Sequence, residues 1–370
     1  MIEDKMIAEK SEYLTKQLIT YLGNKRALLD FIGEGIKIAQ KKLGKDKLKI
    51  FDAFSGSGIT ARYFKKFSEL LITNDLEKYS KVINECYLSN ENELNIPLLQ
   101  KYFFELTEEL KGNLKKGLIT ELYSPLEDNN IKADERVFYT SRNAMYIDTA
   151  RQLIEKIPSS EQKFFLAPLL SESSIHANTS GVFKGFYKNT KTKLGQFGGS
   201  ESNALYRIKG EIKLQFPILS NFNCETKVLS GDSNEIINDL PEVDFAYLDP
   251  PYNQHPYGSN YFMLNLILDY KLPENISKVS GIPAEWKRSL YNKNKSALPA
   301  LSELVEKIKS KFVLISFNSE GFIEYDEMKQ MLEKNGKVLT LETLYNTFRG
   351  SRNLKNRDIH VKEYLFLLEK

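Results

Sequence analysis

The chain has 370 residues, 41% hydrophobic and 27% charged, which fits a core domain with a substantial insert and excludes a disordered or low-complexity chain. A net charge of +3 gives no overall attraction for polyanions, so any nucleic-acid surface must be local. Two distant cysteines, Cys86 and Cys224, exclude a disulfide framework; no apolar run nears the roughly 20 residues of a membrane span, and Met1–Lys5 lacks the apolar core of a signal peptide, so a cytoplasmic protein is expected.

In chain order, Asn24–Leu43 predicts a helix, with Leu28, Leu29, Ile32, Ile36 and Ala39 at helical spacing and Gly44 as a stop signal. Leu48–Phe54 predicts a buried strand that runs into a glycine-rich turn, then a helix over Ile59–Phe67. Glu69–Asn74 predicts a second strand, so this region holds a strand–turn–helix–strand unit, the mark of a parallel sheet. Further strands are expected over 227–230, 244–248, 311–317, 338–344 and 363–368, with helices around 260–270, 298–310 and 325–334. The polar loop 346–358 is too short for a crossover helix, so the last two strands should pair antiparallel. Between 87 and 222 the alternation stops. Helical patches at 98–110, 144–157 and 163–170 mark an inserted, mainly helical domain in an α/β fold whose main domain is built from 1–86 and 223–370.

The strongest chemical signal is Asp249-Pro250-Pro251-Tyr252 after an apolar strand. Two prolines end the ladder and fix a rigid turn. The Asp249 carboxylate and a backbone carbonyl then project past the strand's C-terminal end, where open α/β sheets bind ligands. Two acceptors and a flat tyrosine suit a planar aromatic amine. Holding its two N–H groups favours a tetrahedral nitrogen that attacks a methyl sulfonium in line, through positioning and charge stabilisation.

Four further patterns surround this one. In Asp52-Ala53-Phe54-Ser55-Gly56-Ser57-Gly58 the glycines allow a sharp strand-to-helix turn and close backbone approach to a ligand. The third glycine of the dinucleotide fingerprint is absent, which favours a nucleoside without a pyrophosphate. Asp75, at the end of the next strand, suits ribose hydroxyls, or serves as a turn acid. In Tyr21-Leu22-Gly23-Asn24-Lys25 a lysine at a helix start opposes the macrodipole, so it should hold an anion such as the carboxylate of a methionine moiety. Asp232, after another strand, can accept from the amino group of a cofactor adenine, cap a helix, or both. The stretch 176–193 interleaves Lys184, Lys188, Lys191 and Lys193 with Phe183, Phe186 and Tyr187 and contains no acid. It suits phosphates and bases, with Asn178 and Asn189 as candidate readers of adenine edges. His176, His255 and His360 have no metal-like spacing with the cysteines, so no metal is expected.

The order Tyr21–Lys25, Phe54–Gly58, Asn74-Asp75, Asp249–Tyr252 resembles the adenine-specific DNA methyltransferases of the Dam-like alpha group. The resemblance covers about 20–85 and 225–370; the insert matches in position and character only. It implies a Rossmann-like methyltransferase sheet with an antiparallel terminal strand and a target-recognition insert. It implies S-adenosylmethionine as cofactor, double-stranded DNA as partner, an adenine flipped out of the duplex, and a bacterial cytoplasmic setting at the nucleoid. Family members often serve restriction–modification systems, so a cognate endonuclease is a candidate partner. By position, Tyr21 and Lys25 would contact the methionine part, Phe54–Gly58 would wrap the cofactor, Asp75 would bind its ribose and Asp249–Tyr252 would hold the adenine. Alternatives with the same chemistry are the exocyclic amine of cytosine and an RNA adenine. From other classes, a non-catalytic nucleic-acid-binding protein and a nicotinamide oxidoreductase share the scaffold.

Overall fold

β1 (Leu48–Asp52) opens a sheet that continues with β2 (Ser68–Thr73), β3 (Glu225–Val228), β4 (Val243–Leu248), β5 (Ser310–Asn318), β6 (Lys337–Asn346) and β7 (His360–Glu369). The structure, a computed structural model, describes residues 8–199, 204–346 and 360–370. The seven strands lie in the order β3-β2-β1-β4-β5-β7-β6. β1 pairs parallel with β2 and β4, β2 with β3, and β4 with β5. β7 alone is reversed: it pairs antiparallel with β6, as the sequence predicts, and also with β5, which the sequence did not foretell; the polar loop between β6 and β7 lies almost wholly outside the described residues. Chain order turns around between β1 and β4, and ligands sit at such a switch point, beyond the carboxyl ends of the strands.

The α-helices of six or more residues are α1 (Leu29–Leu43), α2 (Ile59–Phe64), α3 (Lys78–Tyr87), α4 (Ile96–Glu109), α5 (Leu118–Tyr123), α6 (Ser141–Ile154), α7 (Ser159–Ile175), α8 (Phe262–Asp269), α9 (Asn294–Lys307) and α10 (Tyr325–Glu333). α1 begins later than predicted, because Arg26–Leu28 form a 3-10 turn and the Asn24 side chain accepts from the Arg26 N–H. It stops at Gly44, whose φ of +66° suits a residue without a side chain.

Each central strand is buried on both faces, and alternate residues enter two cores. Ile50, Phe245, Tyr247, Leu314 and Leu365 face α1 and α2. Phe51, Ala246, Leu248, Ile315 and Phe366 face α9 and α10. The stretch 88–224 adds no strand to the sheet among its described residues. Its helices form a third core that also takes in Tyr79 and Ile83 of α3 and Phe262 and Ile267 of α8. The helical body is therefore fused to the elements that flank the cleft. Among the described residues, no helix is long and apolar enough to cross a membrane, and no cluster of His, Cys, Asp and Glu could hold a metal ion.

Candidate active site

The cleft floor follows from the turn after β1. The Ala53 N–H donates to Tyr247 O at 3.1 Å and the Ser55 N–H to Asn74 O at 2.9 Å, tying the turn to both neighbouring strands. Gly56 and Gly58 have φ of +50° and +75°, a conformation glycine adopts without steric cost. A side chain would also collide: a Cβ at Gly56 would stand 2.8 Å from the Tyr21 ring, and one at Gly58 2.9 Å from Asn84 Oδ1. Asp75 closes the turn, accepting the Gly56 and Glu77 N–H groups, each at 2.8 Å.

A cleft of about 680 Å³, open mouth included, lies over this floor. Its walls hold the expected Tyr21, Gly23, Phe54, Gly56, Asp75, Asp232, Asp249 and Pro251. They also hold Glu77, Tyr257, Lys287 and Tyr291, which sequence reasoning missed. Tyr21 stacks on Tyr257 and on Tyr261, at 5.0 and 4.9 Å between centroids, while Phe54 meets Tyr291 edge-on. Tyr257 and Tyr261 stand four residues apart, a helical spacing that was the available signal; Lys287 gave none.

Five expected cofactor contacts sit elsewhere, Lys25 among them. Asp52, Ser55, Ser57 and Gly58 are buried behind the wall and do not line the cleft. Ser55 bonds Asn74 O at 3.1 Å and receives the Asn84 side chain, so it braces the turn. Asp52 is fully buried; one oxygen accepts the Phe54 N–H at 3.3 Å and the other has no partner among the described residues. Burial raises its pKa well above the usual range against that hydrogen bond, and Asp249 and Asp75 push it further. Burial also lifts Asp75 to about 6 and Glu77 to about 7, each partly offset by hydrogen bonds. Asp232 caps the turn Ser233–Ile236 through one oxygen, at 2.9 Å from the Asn234 nitrogen.

β4 ends at Leu248 and delivers Asp249 to the cleft. Lys25, expected to hold a ligand's anion, meets two carboxylates of its own chain, with Nζ 3.2 Å from Asp249 Oδ1 and 3.7 Å from Glu363 Oε2. Burial alone would lower the lysine's pKa; Asp249 and Glu363 outweigh it and hold it raised. Burial lifts Asp249 to about 6, opposed by Lys25. Tyr252 packs edge-on against Phe317 at 5.9 Å, and its carbonyl accepts the Phe322 N–H at 3.0 Å. Lys25 Nζ lies 5.6 Å from its ring centroid, so the ring is held in one orientation. Glu363 is a further missed residue. The signal was an acid that alternates with Leu365 and Leu367 on the buried face of the last strand.

The basic loop folds beside this site. The Lys184 Nζ is 3.4 Å from His255 Nδ1, three residues past Tyr252. Lys184, Lys188, Lys191 and Lys193 are exposed and Tyr187 is half-buried. Asn178 is a correction. It is fully buried, donates to Val137 O and Gln196 O at 2.7 and 2.8 Å, and accepts the Gly198 N–H at 3.0 Å. Every polar atom is spent on loop backbone that would otherwise be unpaired, so this residue shapes the loop and cannot reach a base. The Asn189 oxygen closes a turn on the Lys191 and Thr192 N–H groups.

Comparison with known proteins fits this geometry. Type II methyltransferase M.NlaIII of Neisseria lactamica is 29% identical over 360 residues, covering 95% of this chain and 99% of that protein. Type II methyltransferase M.CviAII of Paramecium bursaria Chlorella virus 1 is 30% identical over 360 residues, at 95% and 98%. Type II methyltransferase M.FokI of Planomicrobium okeanokoites is 27% identical over 359 residues, 95% of this chain but 52% of that longer protein. Residues 21–331 match the D12 class N6 adenine-specific DNA methyltransferases, and the chain belongs to that family.

Proposed function

We propose that Asp249, Pro250 and Tyr252 hold the target adenine for methylation at its N6 amino group, and that the adjoining cleft holds S-adenosylmethionine. The observation that carries this reading is the placement of Asp249 at the end of β4, at the switch point and inside the cleft wall. The Asp249 carboxylate and the Pro250 carbonyl accept the two amino N–H bonds, and the Tyr252 ring stacks on the base. These acceptors also stabilise the positive charge that develops on the nitrogen.

Family membership implies S-adenosylmethionine, and the cleft fits it in charge and shape. Asp75, Glu77, Asp232 and Asp249 line it, and the unpaired buried oxygen of Asp52 adds to a field that favours a cation. Asp75 accepts from the ribose hydroxyls through its remaining lone pairs, Phe54 and Tyr291 enclose the adenosyl ring, and Tyr21 and Gly23 border the methionine part. Bound there, S-adenosylmethionine supplies an electrophilic methyl group. The loop around Lys184, Lys188, Lys191 and Lys193 meets the phosphates of duplex DNA, supporting a base pulled from the stack at a cost of a few kcal/mol. The type II relatives favour a restriction–modification role with a cognate endonuclease.

The test is transfer from labelled S-adenosylmethionine to genomic DNA with nucleoside analysis. N6-methyladenine is expected. Asp249→Ala should lose about a thousandfold in turnover and keep cofactor binding. Near-normal turnover in that variant would overturn the assignment of Asp249.

A further inference from the structure

Two carboxylates share one buried ammonium beside the catalytic turn. Lys25 Nζ stands 3.2 Å from Asp249 and 3.7 Å from Glu363, and the three side chains are 4%, 17% and 5% exposed. Neither facing oxygen, Asp249 Oδ1 or Glu363 Oε2, has a hydrogen-bond partner among the described residues. The ammonium stands closer to Asp249 than to Glu363 and is shared between the two carboxylates rather than given to one. Glu363 sits on β7 opposite Asn318 of β5, on the face that Leu365 and Leu367 turn toward α1. An acid there carries a desolvation cost that an apolar side chain of similar size would avoid.

We propose that Glu363 is a positioning residue for methyl transfer: it draws Lys25 partly away from Asp249 and so leaves the Asp249 carboxylate able to accept the amino group of the target base. The inference rests on the reading of Asp249 given above. A lysine with one partner would pull that partner into a full ion pair and occupy its acceptor lone pairs. Shared between two carboxylates, it steadies Asp249 without consuming it. One ammonium and two carboxylates also leave the cluster at −1, opposite to the charge that grows on the attacking nitrogen. The other titratable groups facing Asp249 are Asp52 at the end of β1, Tyr247 on β4, and Tyr252 and Tyr257 in the segment after it. Burial raises the pKa of all four, so the three tyrosines stay uncharged, and Lys25 and Glu363 are the charged groups that act most on Asp249.

The test is the pH dependence of kcat/KM for methyl transfer by the full chain, whose acid limb reports Asp249 in the free enzyme. Glu363→Gln removes a negative neighbour. The acid limb should move to lower pH by about one unit, and the plateau kcat should fall about tenfold as Lys25 captures Asp249. Glu363→Asp keeps the charge at a greater distance and should move the limb in the same direction by less. It also serves as the readout if Glu363→Gln does not fold. A residue that only stabilises the fold would lower the amount of active enzyme and leave the limb in place. An unmoved limb in both variants, or a move to higher pH, would overturn the proposal. Asp249→Asn separates the two readings. If it keeps a wild-type profile, the assignment of Asp249 itself fails; if it is inactive while the Glu363 variants show an unmoved limb, only the role of Glu363 fails.

Discussion

The cleft and the basic loop use charge in opposite ways. Around the cleft, Lys25, Asp52 and Glu363 are buried, and Lys25 balances two carboxylates at once. In the loop, four lysines are exposed and none lies within ion-pair distance of an acid among the described residues. Buried charges act at fixed distance in a weakly screened setting, so geometry decides their effect. Exposed lysines act through a field that salt screens, so their number decides. The first arrangement suits chemistry on one amino group and the second suits grip on a polymer of phosphates.

Variants should break the two regions differently. The largest effect is expected for Lys25→Met, which leaves Asp249 and Glu363 facing each other without a cation. Loss of a buried partner costs about 3–5 kcal/mol, read as a fall in denaturation midpoint, and the acid limb of activity should move to higher pH. Gly56→Ala forces a side chain toward the Tyr21 ring at a positive φ. With about 1–3 kcal/mol of strain, cofactor affinity by calorimetry should fall about 10- to 100-fold. Changing Lys188 and Lys191 together to Ala should leave the melting temperature unchanged. DNA affinity should fall most at low salt, with the slope of log K against log salt shallower by about 1.8; equal slopes would remove these lysines from the phosphate contacts.

The smallest effect is a pH trend. Asp75, Glu77 and Asp249 have pKa values raised to about 6, 7 and 6 in the folded chain. A raised carboxyl binds its proton more tightly folded than unfolded, so its contribution is greatest below about pH 4 and declines as pH rises to about 7. Without cofactor, these groups should make the melting temperature fall between pH 5 and pH 7.5. A flat or rising profile would show that ligand-free carboxyls carry no such strain.

What the sequence revealed follows the range of the interactions involved. The β1–turn–β2 unit and the turn at Asp249 are local events, written in adjacent apolar runs, glycines and prolines. Glu363 and Lys25 meet across most of the chain, and no spacing rule connects them. Tyr257 and Tyr261 matter because Tyr21 stacks against both, which needed the fold. Asn178 was misread for a different reason. A polar residue in a basic loop looks like a reader of bases, yet a tightly folded loop must first satisfy its own backbone, and this side chain is consumed by that task.

The reversed strand has a consequence for the order in which the protein comes into being. β7 is the last strand along the chain, yet it lies between β5 and β6. While the ribosome is still making residues 360–369, the edge of β5 stays open, and β6 has nothing to pair with. A nascent chain stopped short of that point also lacks Glu363, and with it the second partner of Lys25. Completion of the sheet and completion of the active site are thus the same event in synthesis. A fragment released early carries the basic loop but lacks the finished cluster of Lys25, Asp249 and Glu363.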